Sequence, residues 1–305
     1  MSIKDNAKRW AKLYLIDAMG SMAQGLFASL LIGVILQQIF NLITWEPFKP
    51  IADLIVKYTA ASSPVVGAAI GVAIATALKS RPLTIYSCAV VGAIGYSVAA
   101  DGVIAGPVGA YLAVCLAATL GNLIAGRSRL DILIVPAACL LSGSLLAVLV
   151  GPPIAGFMRY LGDVVNHATR LQPFWMGIAV SAIMSFVLFS PLSSAALSIM
   201  LQLSGLAAGA ATAGCCASMI GYAAASWRDN KIGGILAQAL GTSMLQIGNT
   251  IRHPQILIPS TLAAVIVGPL STLVFRMENN YMGAGMGTSG LVGQITTYAT
   301  MSGSM

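Results

Sequence analysis

Long apolar runs occupy most of the chain, at residues 13–40, 64–78, 82–99, 106–125, 132–150, 174–200, 203–225 and 259–275, separated by short polar connections. A helix needs about 20 apolar residues to cross a bilayer, so the chain has room for about eight to ten membrane segments. Two further stretches, 232–247 and 283–301, are apolar overall but crowded with Gly, Ser, Thr and Gln. A lipid-facing helix there would expose too many polar groups, and such backbone survives in a membrane only inside protein or beside a water-filled cavity. These stretches are therefore expected to be broken or re-entrant helices. Run 64–78 is short for a full crossing, and Ser190-Pro191 interrupts run 174–200. The pattern predicts an all-α, polytopic transmembrane bundle.

Composition removes the soluble alternatives. Of 305 residues, 57% are hydrophobic and only 8% charged, with a mean hydropathy of +0.87. No water-soluble domain of ordinary composition has that balance, and a single integral membrane domain over residues 1–305 is expected. The formal net charge of +7 is scattered over short loops rather than striped along one face, which argues against nucleic acid and for topology signals. Lys4, Lys8, Arg9 and Lys12 against Asp5 make residues 1–12 an amphipathic lead-in on the cytoplasmic side. The run that follows is too long for a cleavable signal peptide. Lys79 with Arg81, Arg127 with Arg129, and Arg228 with Lys231 mark three further cytoplasmic connections, and Asp101 marks an external one.

Candidate chemistry is sparse. The five cysteines all lie in apolar stretches without metal-ligand spacing, and the two histidines, His167 and His253, stand at no useful spacing from a carboxylate or cysteine. No strand leads into a glycine-rich phosphate loop. Hence no catalytic residues, metal or cofactor are expected, and the chain is not read as an enzyme. Asp17 is the one carboxylate inside an apolar run: it is either a proton or coupling site or an interfacial partner of Lys12. A Gly-Thr-Ser core occurs twice, at 241–243 and 287–289, each followed by amides: Gln246 and Asn249 in the first, Gln294 in the second. Thr242, Ser243, Thr288, Ser289 and these amides offer the hydrogen bonds that replace hydration around a polyol or carboxylate, or else bond helix to helix within the bundle. Glu278 either faces the same cavity as a second coupling candidate or sits at the membrane edge. Ser190 and Ser193 lie in a Ser-Pro break that resembles the one at Ser63-Pro64. Paired breaks suit an internally repeated transporter, although small-residue coincidence in a chain with 32 glycines explains them equally.

Several motifs resemble, in the same order, the enzyme-IIC-like membrane proteins of the phosphotransferase system: Gly106-Pro107-Val108-Gly109-Ala110, then Leu130-Asp131 through Pro136, Gly151-Pro152-Pro153-Ile154, Ser190-Pro191 through Ala196, and Gly285 through Gln294. The nearest branch is the stand-alone one that includes the perfringolysin regulator. The resemblance implies an enzyme-IIC fold, a homodimer in the bacterial cytoplasmic (inner) membrane, and movement of a substrate-carrying part against a scaffold part. It also implies a separate IIB-type phosphorylating partner, since no IIA or IIB domain is recognised in this sequence, and relatives continue for a further helix beyond Gln294. The expected function is a permease for a small polar solute, a sugar or a sugar-derived or carboxylate compound. The alternative is a membrane sensor that binds the solute without carrying it. Membrane lipid and the solute are the other expected partners.

Overall fold

The computed structural model describes residues 10, 12–33, 36, 37, 40, 49–60, 62–100 and 103–302. Asp101 and, apart from Trp10 and Lys12, the basic lead-in lie outside the described residues. The fold is all-α: its only sheet among the described residues is a two-residue antiparallel pair, β1 (Ala99–Ala100) with β2 (Val103–Ile104). A π-helical turn at Lys12–Ala18 leads into α1 (Met19–Leu26), and α2 (Lys49–Thr59), α3 (Pro64–Ala77), α4 (Pro82–Ser97) and α5 (Gly106–Ile124) follow. Next come α6 (Asp131–Thr169), α7 (Pro173–Phe189), the short α8 (Ser194–Met200) and α9 (Gly205–Ala225). The remainder is more broken: α10 (Trp227–Leu236), a π turn, a 3-10 turn, α11 (Ile247–Arg252), α12 (Leu257–Pro269), α13 (Tyr281–Ala284) and α14 (Val292–Met301).

Proline sets several of these starts. Pro64, Pro82, Pro107 and Pro173 all fall in the first turn of their helices, where the missing N–H has no intrahelical partner to lose and φ is already helical. The loop before α6 closes on Asp131, whose carboxylate accepts from the backbone N–H groups of Gly126 and of Ser128, the latter at 3.1 Å. A carboxylate at a helix N-terminus also suits the dipole.

Among the described residues, four helices are long and apolar enough to cross a membrane: α5, α6, α9, and the stretch Pro254–Val274 containing α12; Lys49–Thr59 with Pro64–Ala77 makes a fifth if counted as one broken span. α4 and α7 are apolar but shorter, with 16 and 17 residues. The protein is thus a multi-pass membrane protein, with fewer full-length crossings among the described residues than the apolar runs suggest, because several runs are divided by breaks. Run 132–150 does the opposite and continues to Thr169 through Pro136, Pro152 and Pro153. Its 39 residues, at about 1.5 Å each, exceed a hydrocarbon core of about 30 Å.

The chain packs as two compact units: unit 1 is Met1–Leu30, Lys57–Phe157 and Ile247–Ile251, and unit 2 is Leu31–Val56, Met158–Gln246 and Arg252–Met305. In unit 1, α3, α4 and α5 pack through small residues. A Cβ on Gly92 would overlap the carbonyl oxygen of Gly67, and one on Gly71 the carbonyl oxygen of Cys88, so α3 and α4 touch backbone to backbone. In lipid, where burying apolar surface drives little, such close approach is what holds helices together. In unit 2, α7, α9 and α12 form the core. Ser181, fully buried on α7, donates to the Ala264 carbonyl at 2.8 Å, and the rings of Phe189 and Tyr222 stack at 5.3 Å. The apolar window of α9 is 72% buried, against 22% for that of α6. α9 is a core helix, whereas α6 turns most of its apolar surface outward.

Candidate functional site

Unit 2 gathers three irregular segments around α9. The first follows α7: Ser190 ends the helix with its hydroxyl donating to the Val187 carbonyl (2.8 Å) and accepting from the Leu192 N–H (3.3 Å). Ser63 accepts from the Val65 N–H in the same i to i+2 manner at 3.3 Å, so the two Ser-Pro breaks share one local turn chemistry. The second segment runs through a π turn, Ala237–Gly241, into a 3-10 turn, Ser243–Gln246. Here Thr242 leaves the helix in an extended conformation and its hydroxyl accepts from the Met244 N–H at 3.2 Å. The third is a hairpin from Asn279 to Gln294. It contains α13, glycines with positive φ at 287 and 290, and Leu291 at φ 58. A non-glycine residue held in that left-handed region costs about 1–3 kcal/mol and persists only where its surroundings impose it.

These segments are bonded to one another. The Ser289 hydroxyl donates to the Gly241 carbonyl at 2.7 Å, joining the two Gly-Thr-Ser cores directly. The Ser194 hydroxyl donates to the Gly285 carbonyl at 2.7 Å, joining the Ser-Pro break to the hairpin. Gly287 makes the approach possible: its φ is +55, and a Cβ there would stand 2.8 Å from Cys215 Cβ.

α9 supplies the wall, through Thr212, Cys216 and Met219 at i, i+4 and i+7 on one helical face. Thr212 accepts from Asn279 Nδ2 at 2.7 Å, Cys216 Sγ from Gln294 Nε2 at 3.6 Å, and the Met219 sulfur from the Thr288 hydroxyl at 3.3 Å, with the Ser289 hydroxyl 3.7 Å from the same sulfur. Asn279 is 1% exposed. Its Nδ2 also donates to the Gly293 carbonyl at 3.2 Å, and its Oδ1 accepts from the Asn280 N–H at 2.8 Å. A neighbouring face of α9 carries Ser218 and Tyr222, and Ser226 follows at the helix end, where its hydroxyl accepts from Gln238 Nε2 at 2.7 Å. Among the described residues, Ser218 Oγ, Gln238 Oε1 and Ser243 Oγ are buried without a hydrogen-bond partner. Buried polar groups are nearly always paired in a finished core, so these three mark polar capacity that the protein itself does not use.

Of the sequence candidates, Ser190, Thr242, Ser243, Thr288 and Ser289 are buried in unit 2, Ser193 and Gln246 are half-buried there, and Gln294 and Glu278 are exposed there. Asn249 and Asp17 belong to unit 1, Asn249 exposed and Asp17 half-buried in the π turn that begins the first helix. The sequence pattern did not mark Thr212, Cys216, Met219 or Asn279 as candidates. The signal available was the helical spacing of Thr212, Cys216 and Met219 in a helix rich in Gly and Ala.

Broken helices converging on a small-residue core helix, with hydroxyls, amides and main-chain carbonyls concentrated at the breaks, define the architecture of a polytopic membrane transporter. More particularly, the chain belongs to the family described as Phosphotransferase system, EIIC, whose model matches residues 16–305. It is a membrane permease of the phosphotransferase type. No curated protein and no solved structure matches the chain.

Proposed function

We propose that the chain carries a small polar solute, a sugar or a sugar-derived or carboxylate compound, bound in unit 2 where the three broken segments meet. The observation that carries this reading is the 2.7 Å bond from Ser289 to the Gly241 carbonyl, which puts two hydroxyl- and amide-bearing segments side by side. The buried, unpaired Ser243 and Ser218 hydroxyls and Gln238 Oε1 support it, since a polyhydroxylated solute supplies the partners they lack. Thr242, Ser243, Gln246, Thr288, Ser289 and Gln294 contact the solute, with Ser190 and Ser193 at its edge. Asp17 and Glu278 are the coupling candidates. The chain performs no covalent chemistry itself: any phosphorylation of the solute falls to a separate IIB-type protein. It works as a homodimer in the bacterial cytoplasmic membrane with its N-terminus in the cytoplasm, the side the basic lead-in favours.

The test is uptake into proteoliposomes of labelled neutral hexoses, hexitols, sugar acids and small carboxylates. Accumulation of one class above protein-free vesicles, abolished by Ser289→Ala, is expected. A solute that binds the purified protein and is never taken up would replace the carrier by the sensor reading; neither binding nor uptake across all classes would remove the site.

A further inference from the structure

We infer that unit 1 carries a binding site for an anionic phospholipid of the leaflet on the basic side of the protein, independent of the solute reading above. A cavity of about 250 Å³ is lined by Trp10, Leu13, Tyr14, Leu78, Thr119, Asn122 and Leu123. Its size falls below that of sites enclosing whole small molecules, about 300–1,000 Å³, and fits the upper end of an amphiphile that continues into the bilayer. The walls support that occupant. Trp10 and Leu123 are each 51% exposed, so the cavity opens outward along an apolar lip. Trp10 stacks flat on Tyr14 at 5.2 Å, and Tyr14 is fixed in turn: its hydroxyl shares a 2.6 Å bond with Thr119, and its carbonyl accepts from the Tyr111 hydroxyl at 2.7 Å. Trp and Tyr side chains concentrate at headgroup level, with an apolar body and a polar tip.

The rim is cationic. Lys79 and Arg81, both exposed, directly follow cavity residue Leu78. Their segment is tied to the wall by Asn122, whose Oδ1 accepts from the Arg81 N–H at 3.4 Å and whose Nδ2 donates to the Ser80 hydroxyl at 3.1 Å. Lys12 adjoins Leu13, and the Arg81 guanidinium lies over Gly126, next to Arg127. Within residues 10–17, 78–81 and 122–131 the charged side chains are Lys12, Lys79, Arg81, Arg127 and Arg129 against Asp17 and Asp131. The Asp131 carboxylate accepts from the Gly126 and Ser128 N–H groups, and with both carboxylates counted five cations against two anions leave a net of +3. An apolar slot under an excess of cations matches a lipid with a negative headgroup, and each basic residue near the surface is worth roughly a fivefold gain in affinity.

Native mass spectrometry of the wild-type protein, equilibrated with equimolar phosphatidylglycerol and phosphatidylcholine of the same chains, is the test. Retained phosphatidylglycerol should dominate, and Lys79→Gln/Arg81→Gln should lower its affinity roughly 25-fold while Arg252→Gln/Arg276→Gln leaves it unchanged. In a variant keeping Trp10 as its sole tryptophan, brominated phosphatidylglycerol should quench fluorescence at a lower mole fraction than brominated phosphatidylcholine. Equal retention of the two lipids by the wild type, or an equal loss in both double variants, would overturn the assignment.

Discussion

Replacing Asn279 by Ala tests how the hairpin of unit 2 is held. The side chain is 1% exposed and makes three hydrogen bonds, to Thr212 Oγ1, the Gly293 carbonyl and the Asn280 N–H. The losses are unequal. The Gly293 carbonyl keeps the Thr297 hydroxyl at 2.7 Å and the Thr296 hydroxyl at 3.1 Å, so little is lost there. Thr212 goes on donating to the Ala208 carbonyl at 2.8 Å but loses the donor that faced it, and the Asn280 N–H loses its acceptor. With a net value of about 1 kcal/mol for each of these two bonds, the sum is roughly 2 kcal/mol. For a chain of this size that lowers an apparent Tm by roughly 4–8 °C, read in detergent at one fixed scan rate because unfolding of such proteins is often irreversible. Thr212→Val removes the partner of the shortest bond, and the double variant should fall short of additivity by about 1 kcal/mol. A Tm for Asn279→Ala within 2 °C of wild type, or strict additivity with Thr212→Val, would refute the latch and with it the hairpin's fixed place on α9 (the ~1 kcal/mol coupling being the quantity at stake).

Glycine substitutions should separate two kinds of site. Gly287→Ala combines a left-handed φ of +55 with overlap onto Cys215 and should cost about 2–4 kcal/mol; Gly156→Ala, in α6 with nothing within 4 Å of the added Cβ, should be neutral or raise the Tm slightly. Ser181→Ala removes a single buried α7 to α12 hydrogen bond of 2.8 Å and should cost about 1 kcal/mol on the same scale, measured by the same thermal assay. If Asp17 is the coupling site, Asp17→Asn should abolish the pH dependence of uptake while sparing solute binding; an unchanged pH profile would exclude it.

Most of the fold was legible because run boundaries and helix boundaries share a cause. Runs 82–99 and 106–125 became Pro82–Ser97 and Gly106–Ile124, each with proline in its first turn. The Ser190-Pro191 break and the irregularity of 232–247 and 283–301 were also foreseen, since too many polar groups in lipid force the backbone to find partners inside protein. Where the reading fell short, side-chain direction decided. Gly151-Pro152-Pro153 looks like a terminator, but α6 runs through it, and Arg159, Asp163 and His167 lie on the continuing helix. Pattern alone does not say which of the residues 212, 216 and 219 face a neighbour, because Met and Cys look like filling until a hydroxyl or amide is seen donating to them. The membership of Asn249 in unit 1 was hidden for the same reason: three residues past Gln246, the chain has already entered α11.

The most direct test of the solute site is the affinity of the purified protein for whichever of a neutral hexose, a hexitol, a sugar acid or a small carboxylate most raises its Tm, compared between wild type, Gln246→Ala and Gln294→Ala. Loss of a solute hydrogen bond should weaken binding by about tenfold in each variant, with the ligand-free Tm close to wild type. Wild-type affinity in both would contradict the account, and the polar breaks of unit 2 would then be no more than the mortar of the bundle.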